Sequence, residues 1–124
     1  MQYSQYISGK FRQGSSEINY EVINPSTSET LGTFQFTSAQ DIQEAIQSAL
    51  QAYKVWAKTS AYDRSVKIRQ IANLMYSRVD VIAEQISLEL GKPLAEAKKE
   101  VQTAAEMFEW ASEEARRIYG KTIA

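Results

Sequence analysis

Residues 79–120 read VDVIAEQISLELGKPLAEAKKEVQTAAEMFEWASEEARRIYG. Val79, Ile82, Ala83, Ile86 and Leu90 recur at spacings of three and four, the period of an amphipathic helix. The period breaks at Gly91, which suits the left-handed residue that ends a helix, and Pro93 prevents continuation. It resumes at Leu94 and runs through Ala97, Val101, Ala104, Ala105, Phe108, Ala111, Ala115 and Ile118. Read to Tyr119, with Gly120 as its terminator, this last helix would be about 39 Å long at roughly 1.5 Å per residue. Its alanines admit close approach of another element. The overhanging last helix of a small bundle has the same pattern.

Working upstream, two further helices are expected. Ser60 with Asp63 forms an N-terminal capping pair, and Val66, Ile68, Ile71, Ala72 and Met75 follow. Ser38 with Asp41 is the same device, followed by the stripe Ile42, Ile46, Ala49, Leu50, Tyr53 and Trp56. Residues 1–37 read instead as β and turn. Tyr6-Ile7-Ser8 and Lys10-Phe11-Arg12 flank Gly9 as a short hairpin. The stretch from Glu17 to Val22 alternates with period two until Asn24-Pro25 stops it, because proline removes a ladder donor. Leu31, Phe34 and Phe36 form another strand, with Gly32 as a bulge. The expected arrangement is a β hairpin or meander over residues 1–37, then four helices over 38–120, in one segment covering residues 1–124. This is mainly α with a short antiparallel β segment at the start.

Composition excludes several classes of function. A hydrophobic fraction of 44% and a charged fraction of 23% are ordinary for a globular chain. A net charge of −1 gives no electrostatic reason to expect nucleic acid or an anionic membrane as partner. The apolar runs are far shorter than a membrane span, and Met1-Gln2-Tyr3-Ser4-Gln5-Tyr6 lacks the features of a secretory signal. Cytoplasm is the default compartment. The 124 residues include no cysteine and no histidine, so there is no thiolate nucleophile and no imidazole base or metal ligand. Gly91 stands outside any Gly-x-Gly-x-x-Gly loop, and no P-loop exists.

The Asn24-Pro25 turn, Trp56 at a helix end, Arg64 in the next helix and Glu89-Leu90-Gly91-Lys92-Pro93 form an ordered set. The stretch from Trp110 through Glu113-Glu114-Ala115-Arg116-Arg117 to Tyr119-Gly120 completes it. In this order the chain resembles the amino-terminal part of the NAD(P)-dependent aldehyde dehydrogenases, over residues 6–123. The ending is most similar to the succinate-semialdehyde dehydrogenase branch. The resemblance implies an α/β parent that oxidises an aldehyde, in this branch a semialdehyde, to a carboxylic acid. NAD or NADP would be its cofactor, a small aldehyde its partner, and a homo-oligomer its assembled form. It also implies that the nucleophilic cysteine, the general-base glutamate and the dinucleotide-binding residues lie in a part that this chain lacks. No catalytic and no cofactor-binding residue is therefore assigned. The segment alone is expected to be inactive and to bind no cofactor, with a structural role.

The same resemblance implies a monovalent cation site made by Glu89 with the backbone carbonyls of Val22 and Ile23. Hard cations take oxygen ligands. A carboxylate that bonds neighbouring amides or faces water is the competing reading of Glu89. Lys98, Lys99, Arg116 and Arg117 are interleaved with Glu96, Glu100, Glu113 and Glu114, which reads as i,i+4 pairs on a solvated face. Tyr53 and Trp56 read as core. Trp110 lies beside the main stripe; in the family this helix leads towards the substrate entrance, and packing against a missing or partner element explains the residue equally well. A stand-alone helical module that binds a partner is the alternative to the enzymatic reading. A generic bundle, however, has no reason to carry the Asn-Pro and Gly-Lys-Pro breaks in this order.

Overall fold

In a computed structural model, residues 3–120 and Ile123 are described. Met1 and Gln2, part of the amino terminus considered above, lie outside them, as do Lys121 and Thr122 within the span of the resemblance, and Ala124. The described residues form four strands and four helices. They are β1 (Gln5–Ile7), β2 (Lys10–Arg12), β3 (Asn19–Ile23), β4 (Thr30–Gln35), α1 (Ala39–Trp56), α2 (Ala61–Ser77), α3 (Val79–Leu90) and α4 (Leu94–Glu114). The chain divides into two compact units, Met1–Lys58 with Leu88–Gly91, and Thr59–Ser87 with Lys92–Ala124.

The first unit holds the strands and α1. They form two separate antiparallel pairs, β1–β2 and β3–β4, and not one meander. Residues 13–18 part the two pairs, and Gly14 lies so close to the Gln35 and Phe36 carbonyls that a Cβ there would collide with them. Ser8 and Gly9, both at positive φ, make the first turn. Asn24 organises the second: its side-chain oxygen accepts from Ser26 N at 2.9 Å, and its N–H donates to Glu29 O at 2.9 Å. Val22 faces Gly32 and Ile23 faces Thr30, so the extra residue of the bulge is Leu31, next to Gly32.

α1 begins as its capping pair requires. Ser38 Oγ accepts from Asp41 N at 3.2 Å, and Asp41 Oδ2 accepts from Ser38 N at 2.9 Å. Its stripe is only half covered: Ile42, Ile46, Leu50, Tyr53 and Trp56 are 45–66% exposed, and the one buried residue of α1 is Asp41.

The second unit is helical. Ala83, Ala97 and Val101 form its buried centre, with Met75, Val79, Ile82 and Ile86 packed against them. α2 packs along α4. Ala72 on α2 and Ala97 and Ala105 on α4 are completely buried, so the small residues do permit close approach. α4 ends at Glu114, five residues before the expected Tyr119. The ladder tightens there: Arg116 N bonds Glu113 O, and Arg117 N bonds Glu114 O, three residues back instead of four. Ile118 and Tyr119 are exposed, so the apolar period beyond the end meets no core.

Candidate functional site

Three constellations carry the polar chemistry of the described residues. The first is the junction of the Asn-Pro turn with the end of α3. Gly91 holds φ 71°, and its carbonyl accepts from Ser26 Oγ at 3.2 Å. A Cβ at Gly91 would lie 2.7 Å from Ser26 Oγ and 2.9 Å from the Pro25 ring. Glu89 is thus two residues from a point that touches the turn, and Val22 and Ile23 are the residues leading into that turn. Glu89 is half-buried in the last turn of α3 and is engaged with a partner. Among the described residues no group of three acidic, histidine or cysteine side chains is placed to hold a metal ion. A site here would therefore depend on backbone oxygen.

The second constellation is built round Asp41. Its carboxylate accepts from Ser15 Oγ at 2.6 Å, Ser15 N at 2.8 Å and Ser38 N at 2.9 Å. Arg12 adds a 3.2 Å ion pair and reaches on to Glu44 at 2.8 Å. The Ser15 hydroxyl, then the Ser38 and Ser15 amides, hold the Asp41 carboxyl far below the usual carboxylate range, against the opposing effect of burial. The capping role was legible at Ser38 and Asp41. The reach of Arg12 and Ser15 had no local signal.

The third constellation joins α2 to α4. Arg69 donates from Nε to Ser112 Oγ at 3.1 Å, from Nη1 to Glu109, and from Nη2 to Glu113 Oε1 at 3.1 Å. Tyr76 OH donates to Glu109 Oε2 at 3.3 Å. Burial, followed by the Glu109 charge, pushes the Tyr76 phenol above its usual range. Arg116 Nε donates to Ser65 Oγ at 3.0 Å, and its guanidinium lies 4.8 Å over the Tyr62 ring. The charged residues of α4 are therefore not the expected set of i,i+4 pairs. Lys98 bonds Asp80, Lys92 bonds Glu100, and Arg117 bonds Glu114 at i,i+3. Packing of α4 on α2 brings Glu109 and Glu113 to a guanidinium that offers several donors at once. Also on α4, Thr103, Glu106, Met107 and Trp110 line an apolar hollow, and Met107 and Trp110 are exposed. Trp110 is thus not core within this chain.

The described residues thus combine two antiparallel strand pairs, an Asn-Pro turn held against the Gly91 break, and helices α2 and α4 packed together. Residues 11–124 match the model of the aldehyde dehydrogenase family, and the chain belongs to that family. The glutarate-semialdehyde dehydrogenase of Pseudomonas putida is 40% identical over 95% of this chain and 25% of its own length. The NADP(+) succinate-semialdehyde dehydrogenase of Saccharomyces cerevisiae is 39% identical over 97% of this chain and 24% of its own. The crystal structure of an aldehyde dehydrogenase from Brucella melitensis biovar abortus superposes with a TM-score of 0.92. It is 36% identical, over 98% of this chain and 25% of that one. The chain spans about a quarter of the length of these relatives and corresponds to their amino-terminal part.

Proposed function

We propose that this chain is the first quarter of an NAD(P)-dependent enzyme that oxidises a semialdehyde to a carboxylic acid, and that its own part is structural. The observation that carries this reading is the likeness of nearly the whole chain to glutarate- and succinate-semialdehyde dehydrogenases. The parent works in the cytoplasm as a homo-oligomer. The α4 face with Met107 and Trp110 turns towards the aldehyde entrance. Glu89 and the Val22 and Ile23 carbonyls hold a monovalent cation that pins the Asn-Pro turn to α3.

The cofactor belongs to the rest of the parent. Dinucleotide phosphates need free amides at a helix N-terminus or a glycine-rich loop. Here the N-terminal amides Asp41 N and Asp63 N are taken by Ser38 and Ser60. α4 is preceded by Pro93 as its N-cap, with Glu96 in its first turn. The cofactor site is therefore assigned to the rest of the parent, and no step of the oxidation is placed on these residues. The chain also supplies no cysteine for a covalent intermediate.

Two measurements test the reading. The purified chain, mixed with succinate semialdehyde and NAD or NADP, should form no reduced nicotinamide above a mock preparation. Put in place of the matching segment of the Saccharomyces cerevisiae enzyme, it should support oxidation of succinate semialdehyde. Turnover by the isolated chain, or a soluble chimaera without activity, would refute the assignment.

A further inference from the structure

We propose that the cleft between α2 and the turn after α4 is a binding site for a small carboxylate anion, with Arg116 as the group that takes it. The cleft lies within the helical unit and encloses about 590 Å³, inside the range of small-molecule sites. Arg69, Arg116 and Arg117 are among its lining residues, with Glu113 as the one acidic residue of that lining.

The three arginines are not equivalent. Arg69 has its Nε, Nη1 and Nη2 committed to Ser112, Glu109 and Glu113, so it forms the wall. Arg117 is tied through Nη1 to Glu114 at 2.7 Å. Among the described residues Arg116 meets the buried Ser65 through Nε and the Tyr62 ring, whose centroid is 4.8 Å from its guanidinium carbon. It makes none of the ion pairs found among the described residues. Its two terminal amines are therefore oriented in advance and carry the remaining donors. A guanidinium fork of this kind matches the two oxygens of a planar carboxylate.

The rest of the lining suits a small anion. Gln70 and Asn73, three residues apart on α2, and Tyr119 are also lining residues, and their side chains carry groups able to donate to an anion. Glu113 opposes an incoming anion, but its charge is met by Arg69 at 3.1 Å. The site is independent of the enzymatic reading, because it rests on this chain's own side chains and needs neither cofactor nor turnover.

The test titrates the 124-residue chain with succinate, following the arginine Nε–Hε signals by NMR. Sodium chloride at matched ionic strength and inorganic phosphate are the comparison arms. Succinate should move the Arg116 signal saturably, and chloride should not. Arg116→Lys keeps the charge but loses the fork, and should weaken binding at least fivefold, to the level of Arg116→Ala. Asn73→Ala, on the well-anchored α2, should weaken it about twofold and reads the same site if an Arg116 variant fails to fold. Absence of a saturable shift, an equal response to chloride, tighter binding of phosphate, or unchanged affinity in Arg116→Lys and Asn73→Ala would each overturn the proposal.

Discussion

Gly91 combines two requirements that a side chain cannot meet together. Its φ of 71° lies in the left-handed region, where a Cβ is strained. Its neighbours on the open side are Ser26 Oγ and the Pro25 ring, at 2.7 and 2.9 Å from where that Cβ would stand. The first requirement was legible in the sequence, because the apolar period stops at Leu90 and Pro93 follows. The second was not, since nothing local tells that the Asn-Pro turn, 65 residues earlier, arrives there. Gly120 separates the two effects. It has φ 72°, and among the described residues nothing lies within 4 Å of an added Cβ. Gly120→Ala should cost at most about 1 kcal/mol, as backbone strain alone. Gly91→Ala should cost about 2 to 3 kcal/mol, because the turn must also shift. Urea denaturation of the two variants measures the difference. If Gly91→Ala loses no more than Gly120→Ala, the contact with the turn contributes nothing.

Among the elements, the start of α1 is where local and distant chemistry meet. Ser38 and Asp41 cap the helix, and Arg12 and Ser15 tie the same carboxylate to the chain after β2. Ser38→Ala should cost about 1 kcal/mol through loss of the cap. Asp41→Asn should cost more, since it also removes the charge that Arg12 faces. The pH dependence has a definite sign. The folded carboxyl titrates below its unfolded value, so the folded state gains from Asp41 at any pH above the ordinary carboxylate range. That gain falls away as the solution is acidified through and below this range. Wild type should therefore lose stability on acidification from pH 5 to pH 3 more steeply than Asp41→Asn, read from urea midpoints across that interval. Parallel curves would show that the carboxylate adds nothing to the latch.

The helices also show where periodicity stops being informative. The α4 period continues through Ile118, yet the helix ends at Glu114, and Ile118 and Tyr119 beyond it are exposed. Arg116 reaches Ser65 and Tyr62 from there. The stripes of α1 and α4 look equivalent on paper. In the structure Ala97, Val101 and Ala105 are buried, while Ile42, Ile46 and Leu50 remain half exposed. A period names the apolar face of a helix. It does not name what covers that face.

For the molecule as a whole, the half-covered stripe of α1 has a consequence for the isolated chain. Leu50, Tyr53 and Trp56 are exposed together on one face, and Met107 and Trp110 form a second patch on α4. Apolar surface left in water is unfavourable by about 25 cal/mol per Å², so joining a few hundred Å² of it is worth several kcal/mol before the entropy of association. Each β pair has only two strands, so its outer edges offer a template for another chain. The purified 124-residue chain should therefore form dimers or larger assemblies in the micromolar range, including forms that exchange a hairpin or a helix. Leu50→Glu with Tyr53→Glu should shift the equilibrium towards monomer by at least tenfold, because it places charge in the middle of the stripe. The substitutions should leave the fold intact, since neither side chain is buried. Sedimentation velocity across a concentration series is the measurement. A wild-type chain that stays monomeric and unfolds cooperatively at high micromolar concentration would defeat the prediction, and would mean that the exposed α1 face is tolerated in water as it stands.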